Sequence, residues 1–384
     1  MAKAILWLSG VALLVAAAFF FLVAPKRVDA SLNKIVPHEA YVVSEEAKAL
    51  HATLRLADLH DDALLWDRDF LERNRRGHAD ASRLREGGYR LQVLAAVTKT
   101  PKNLNYDRNT GDTDNITPLA VAQRWPVKTW TSLEARALFI ADKANKFETR
   151  SGGAVRLVRT GPELGRRIGE DGLTVILATE GAHPLQGDLG AINRLYDAGY
   201  RVLGLQHFFD NELGGSLHGV SHLGLTEFGR AAVKAAIAKG LIIDIAHSSE
   251  AVVRDVLAIG ARPLLVSHTG LRGHCDSPRN LPDALMKEIG ARGGLIGVGF
   301  WDGAVCEASV PSIINAIVYA VGLVGVDHVA LGSDFDGATT TPFDASEAAV
   351  LTDGLLKAGL DEAAIRAVMG ENAIRFFTEN LPAS

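Results

Sequence analysis

The tripeptide His60-Asp61-Asp62 closes the apolar run Leu54-Arg55-Leu56-Ala57-Asp58-Leu59. Side chains two apart in a strand share a face, so His60 and Asp62 point the same way. An imidazole beside a carboxylate is half of a zinc site. Alone, the pair reads more readily as a polar strand end followed by a helix cap, but the same grammar recurs. Glu180 follows Leu173–Thr179, His207 follows Arg201–Gln206, His247 follows Leu241–Ala246, His268 follows Pro263–Ser267, and Asp334 follows His328–Ser333. Three protein ligands and a water complete a catalytic zinc, so these are more donors than one ion needs. A natural partition puts His60, Asp62 and Glu180 on one metal and His247, His268 and Glu180 on a second, with Glu180 bridging. Two metals roughly 3.5–4 Å apart can hold a shared hydroxide, a nucleophile at neutral pH because bound water drops from a pKa of 15.7 to about 7. The nitrogen and oxygen donor set favours zinc and also suits manganese or cobalt.

Elements that bring such distant residues together are legible in the pattern. Leu91–Val97 and Gly294–Phe300 complete a set of eight short apolar runs. Helical signatures lie between them: Thr131-Ser132-Leu133-Glu134 has the form of a capping box opening a helix to about Thr149, Thr226–Lys239 ends at Gly240, and Glu250–Ile259 stops at Gly260. Eight strand-helix alternations predict an α/β fold, a (β/α)8 TIM-type barrel, whose strand C-termini open on one face and converge on one site. An open doubly wound sheet would carry a Gly-rich phosphate turn after the first strand, and none is present. The polar stretch from Lys99 to about Thr129 follows the second strand and reads equally as a solvated insertion or as a pocket wall.

The remaining composition narrows the partners. Of the 384 residues, 40 are basic and 45 acidic, with no long basic run, so nucleic acid is an unpromising partner. Cys275 and Cys306 allow at most one disulfide, lie in no Cys-x-x-Cys pair, and are expected as two buried apolar thiols. From Ala4 to Ala24 no residue is charged, and at about 1.5 Å per residue this stretch spans roughly the thickness of a bilayer core. Residues 1–25 are therefore expected as a membrane anchor, with a cleaved signal segment ending at Val28-Asp29-Ala30 as the competing reading. Residues 26–45 are expected as a tether and 46–384 as the barrel domain, exported and membrane-bound, or secreted if the segment is cleaved.

Longer stretches of the sequence are also recognisable. Asp58-Leu59-His60-Asp61-Asp62, Ser82-Arg83-Leu84-Arg85-Glu86-Gly87-Gly88, Thr179-Glu180-Gly181, Asp244-Ile245-Ala246-His247-Ser248, Ser267-His268-Thr269, Pro278-Arg279-Asn280-Leu281-Pro282-Asp283 and Gly332-Ser333-Asp334-Phe335-Asp336-Gly337 together resemble the membrane dipeptidase (renal dipeptidase) family of zinc peptidases. The resemblance runs from about Leu56 to Phe377. It implies a (β/α)8 barrel with two zinc ions on His60, Asp62, Glu180, His247 and His268, a dipeptide substrate and a homodimer. It also implies that His207 binds the scissile carbonyl oxygen, that Arg279 grips the substrate carboxylate, and that Asp334 contacts the substrate amine and shuttles a proton to the leaving nitrogen. Glu180 would be catalytic through the metals it bridges.

Other polar residues are weighted lower. His183, His218, His222 and His274 are expected as surface residues or as supports of the ligands, Asp336 as a cap of the next helix, and Asp61 as an extra negative charge near the metals. Ala95-Ala96-Val97 departs from the aromatic residue that many relatives show there, which leaves the pocket shape open. The alternatives are a related binuclear barrel hydrolase acting on a lactam, lactone or phosphoester, and a non-catalytic metal-containing binding protein. The His-x-Asp start and the bridging Glu speak against the commoner barrel amidohydrolase pattern, and the complete donor set speaks against a degenerate binding module.

Overall fold

In a computed structural model that describes residues 2–260 and 263–384, the eight expected strands all form. They are β1 (Leu56–Asp61), β2 (Tyr89–Val97), β3 (Leu173–Glu180), β4 (Tyr200–Gly204), β5 (Ile242–Asp244), β6 (Leu265–Thr269), β7 (Leu295–Val298) and β8 (Val329–Leu331). Each runs parallel to its neighbours in sequence order, and β8 returns to β1 with Leu331 opposite Asp58, closing the barrel. A helix follows every strand: Ala81–Glu86, Leu133–Arg150, Gly190–Ala198, Glu227–Lys239, Glu250–Ile259, Asp283–Ala291, Val310–Val324 and Ala349–Lys357.

Strand alternation divides the core in two. Leu91, Val93, Ile176, Val202, Leu265 and Leu295 form one cluster, closed from below by Phe376 and Phe377 of the C-terminal helix. Leu94, Leu177, Leu203, Ile243, Val266 and Ile296 face the other way and pack against the helices. This two-sided burial is why the runs read as nearly continuous apolar stretches rather than as polar-apolar alternation. Local signals stop the helices as expected, with Gly240 at φ 96° ending its helix. The helix after β2 is capped by Ser132, which accepts from Ala135 N at 3.1 Å, rather than by Thr131.

Two features depart from the sequence reading, and a third decides between its two alternatives. Cys275 and Cys306, expected as free thiols, form a disulfide, because the loops after β6 and β7 bring their Cα atoms to 5.6 Å. The 99–129 stretch carries helix Ile116–Ala122 and is tied down by buried Arg136, whose guanidinium donates to Thr98 O, Thr129 O and Asp114 Oδ2 at 2.6–2.7 Å. Residues 26–45, expected as a tether, are held against the barrel. Helix Ala24–Leu32 leads into Lys34–Ile35, which pairs with Thr340–Thr341 beyond β8. Buried Asp29 lies 3.2 Å from Arg68 Nε and 3.0 Å from Arg76 Nε. Together with the helical residues before it, this helix makes up Trp7–Leu32, which is long and apolar enough to cross a membrane.

Candidate metal centre

Five strand ends deliver their side chains to one point. Glu180 closes β3, and Gly181 turns the chain immediately afterwards at φ +81°, where a Cβ would meet the His183 ring at 2.3 Å. A left-handed glycine is required there because any side chain would both strain the backbone and strike that ring. Glu180 Oε1 lies 3.6 Å from His60 Nε2, 3.3 Å from His207 Nε2, 3.1 Å from His247 Nε2 and 3.4 Å from His268 Nε2. His60 Nε2 is 3.7 Å from Asp62 Oδ1, so the first pair does share a face. His247 and His268 bring their Nε2 atoms within 2.9 Å of each other.

The electrostatics of this cluster are mismatched. Burial and the neighbouring Asp62 push the Glu180 carboxyl well above the usual range, and burial likewise raises Asp334. Burial opposes charge on His60, yet Glu180, Asp62 and Asp334 outweigh it and push the ring to about 10. His207, His247 and His268 are held well below the ordinary histidine range, first by burial and then by neighbouring cations. His60 Nε2, Asp62 Oδ1 and Glu180 Oε2 are buried without a hydrogen-bond partner. Orphaned buried polar atoms of this kind are costly unless something satisfies them. A cation among several imidazole nitrogens and carboxylates would satisfy all of them and reverse the local pKa logic. The residues present therefore fit a metal.

The supports of these groups were not assigned from sequence. Ser267 Oγ lies 3.3 Å from His60 Nδ1 and 2.8 Å from His268 Nδ1, placing one hydroxyl behind two imidazoles. Ser267 N in turn donates to Asp244 Oδ1 at 3.0 Å. Both residues lie inside the motifs that carry His247 and His268, and that adjacency was the available signal. Holding the far ring nitrogen fixes tautomer and orientation.

Asp334, just past β8, adopts φ 58°, as do Asp336 and Ala338 at 61°, three left-handed non-glycine residues in five. Such backbone is uncommon and strained. It brings the Asp334 carboxylate into a cluster with His60 and His268. Asp336 does not cap the following helix; its carboxylate accepts from His78 N at 2.8 Å and pairs with Arg68 at 2.9 Å. Asp61 turns away from the cluster and accepts from Ala63 N at 2.7 Å, because the residue between His60 and Asp62 takes the opposite side of the strand.

Arg279 is fully buried and its orientation is fixed, with Nη1 donating to Ala246 O at 2.9 Å and Nη2 to His268 O at 2.6 Å. Its guanidinium carbon sits 5.4 Å from the Trp301 ring. Arg279, Asp334, His207 and Glu180 line a cavity of about 610 Å³. Tyr106 from the 99–129 stretch lines it as well and accepts from Trp301 Nε1 at 2.8 Å, so that stretch is a pocket wall. His183 and His218 are buried, not on the surface. His183 stacks on Phe209, and the His218 ring stacks on Phe208 and lies 5.6 Å from His247.

Comparison with known proteins places the fold and the family. The dipeptidase verJ of Clonostachys rogersoniana is 30% identical over 227 residues, a match covering 57% of this chain and 58% of that protein. The probable dipeptidase PvdM of Pseudomonas aeruginosa shares the fold with a TM-score of 0.74 at 19% identity, over 88% of this chain and 98% of that one. A metallopeptidase from Rhodobacter sphaeroides, solved with a phosphinate mimic of the dipeptide L-Ala-D-Ala, superposes with a TM-score of 0.68 at 23% identity, over 86% and 99% of the two chains. The family model for membrane dipeptidase, peptidase family M19, matches residues 44–382. That match takes in the whole barrel and every residue of the centre while leaving the N-terminal helix outside, and the chain belongs to the membrane dipeptidase family.

Proposed function

We propose that the protein is a zinc-dependent dipeptidase, exported and held to the membrane by its N-terminal helix. The observation that carries this reading is Glu180 Oε1 standing within 3.1–3.6 Å of four imidazole nitrogens. A single carboxylate ringed in this way suits a bridge between two cations. His60, Asp62 and Glu180 would hold one zinc, and His247, His268 and Glu180 the other. When bound, the metals would supply Lewis acidity and a water acidic enough to serve as nucleophile at neutral pH.

The other residues prepare the substrate. Arg279 spends one N–H of each terminal nitrogen on backbone carbonyls, which leaves the rest of a pre-aimed fork for the substrate's terminal carboxylate. His207, kept neutral by burial, donates from an uncharged ring to the carbonyl oxygen as negative charge builds there. Asp334, which clusters with His60 and His268, takes up the proton released by the attacking water and passes it to the departing amine nitrogen. Recognition of carboxylate and amine on either side of one bond limits the substrate to a dipeptide.

The test uses the full chain purified in detergent. The expected result is about two zinc ions per chain by elemental analysis, hydrolysis of free dipeptides, and little hydrolysis of their carboxyl amides. Activity should disappear on chelation and return with zinc. Full activity in metal-free protein, or equal rates on dipeptides and their amides, would overturn the reading.

A further inference from the structure

The cavity above the centre is not closed by the barrel alone. The N-terminal helix contributes Phe20, Ala24, Pro25, Val28 and Leu32 to its lining. Four of these recur at intervals of four and so stand in one stripe along the helix. The helix is stitched in place rather than leaning freely. Asp29 pairs with Arg68 and Arg76 and accepts from Asn33 Nδ2 at 2.9 Å, and Asn33 Oδ1 accepts from Ala338 N at 2.9 Å. Lys34 N and Val36 N donate to Thr339 O and Thr341 O. The helix end is thereby fastened to the loop that carries Asp334. Upstream, Trp7, Leu8, Leu13 and Leu14 are 70–77% exposed, a surface suited to lipid, while Lys26 and Arg27 are exposed where a headgroup layer would begin.

We propose that this helix is retained in the mature protein as a wall of the substrate cavity, and that Phe20, Val28 and Leu32 select dipeptides bearing a large apolar side chain. The proposal rests on the dipeptidase reading above. The carboxylates, imidazoles and guanidinium of the cavity are gathered at the metal centre and at Arg279, where the backbone and termini of a dipeptide would be held. What remains for a side chain is the space between the helix stripe and Leu104, Ile116 and Leu119 of the 99–129 stretch, all apolar. A methyl side chain reaches little of that surface, whereas a phenyl or isobutyl group is removed from water against it. Cleavage after Ala30 would remove Phe20, Ala24 and Val28 of the stripe together with Asp29.

The experiment compares kcat/KM for Ala-Ala, Phe-Ala and Ala-Phe, using the full-length chain in detergent. Val28 and Leu32 are each 41% exposed, so polar residues there leave the fold intact. In Phe20→Ser/Val28→Ser/Leu32→Ser the preference for the better phenylalanine dipeptide over Ala-Ala should fall about tenfold, through KM, the scale set by apolar side-chain contacts. Val28→Phe, which narrows the same space, should lower the preference as well. Intact mass should show the mature protein beginning upstream of Phe20. A preference within twofold of wild type in both variants, or an active natural chain beginning at Ser31, would overturn the proposal. If the wild type cleaves none of the three dipeptides, the dipeptidase reading itself fails, and that is seen before any variant is made.

Discussion

Two buried charge clusters sit at the same rim of the barrel and begin on neighbouring residues. Asp62 belongs to the metal centre, while Asp61 faces the cluster of Asp336, Arg68 and Asp29. In the second cluster each guanidinium meets a carboxylate: Arg68 lies 3.2 Å from Asp29 and 2.9 Å from Asp336, and Arg76 lies 3.0 Å from Asp29. In the first, imidazole nitrogens face one another at 2.9 Å and crowd a single carboxylate, with no lysine or arginine of the described residues paired among them. Buried charges persist when paired or when they bind an ion. The paired cluster is thus complete as a staple between the N-terminal segment and the β8 loop, and the other is complete only with a guest. The difference teaches that burial, ionisable density and unpartnered buried atoms do not by themselves mark a site, since Arg68 Nε and Nη2 and Asp61 Oδ2 also lack a hydrogen-bond partner; imidazole nitrogens crowded on one carboxylate do.

The sharpest way to break this contrast is Glu180→Gln. Removing the shared carboxylate should lower kcat/KM beyond the ~10²–10³-fold that loss of one electrostatic contact costs, and zinc content should fall with it. The metal-free protein should melt no lower than wild type in chelator, since a buried carboxyl whose pKa burial has raised is a cost to the fold. A metal-free midpoint that fell steeply would mean that the centre, too, is a staple.

Asp29→Ala tests the other side. It leaves two guanidiniums facing an empty position, and breaking a buried pair in this way costs about 3 kcal/mol. Denaturant unfolding in detergent should show that loss, while zinc content stays that of wild type. Loss of metal together with stability would merge the two clusters into one.

How much of this was legible in the sequence follows from which forces are local. The barrel was readable because its strands are buried on both faces, which writes them as short apolar runs, and because Gly240 and Gly260 mark helix ends. The side chains gathered at the centre were readable because each closes a run, and parallel strands put all their ends on one face. Ser267 and Asp244 were missed because a hydroxyl or carboxylate inside a strand has no pattern of its own; only the position beside a ligand marks it. The Cys275–Cys306 pairing and the Asp29–Arg68 contact join segments far apart in sequence, and no local periodicity encodes either. The fourfold stripe on the N-terminal helix was hidden by uniform hydropathy, since a membrane segment looks the same whichever side it presents.

The smallest expected effect concerns the hinge of the staple. His78 is fully buried; its Nδ1 accepts from Asp336 N at 2.9 Å and its Nε2 lies 2.9 Å from Lys34 O, which fixes a neutral ring with its proton on Nε2. Burial holds its pKa below the ordinary histidine value, although the Asp336 carboxylate pulls the other way. A histidine with a depressed folded pKa binds more protons unfolded than folded just below pH 6.5, so its contribution is complete above that value and is lost as pH falls. Each unit of depression is worth about 1.4 kcal/mol. Protonation would also remove the Nδ1 acceptor and so loosen the seam where Lys34 N and Val36 N donate to Thr339 O and Thr341 O. Amide exchange at Lys34 and Val36 in the zinc-loaded protein should therefore accelerate between pH 7 and 5 beyond what the change in intrinsic exchange rate accounts for. In His78→Gln, which keeps an acceptor and a donor without a titrating ring, that excess should vanish. An equal excess in both proteins would assign the acid sensitivity to another titrating group and overturn the role given to His78.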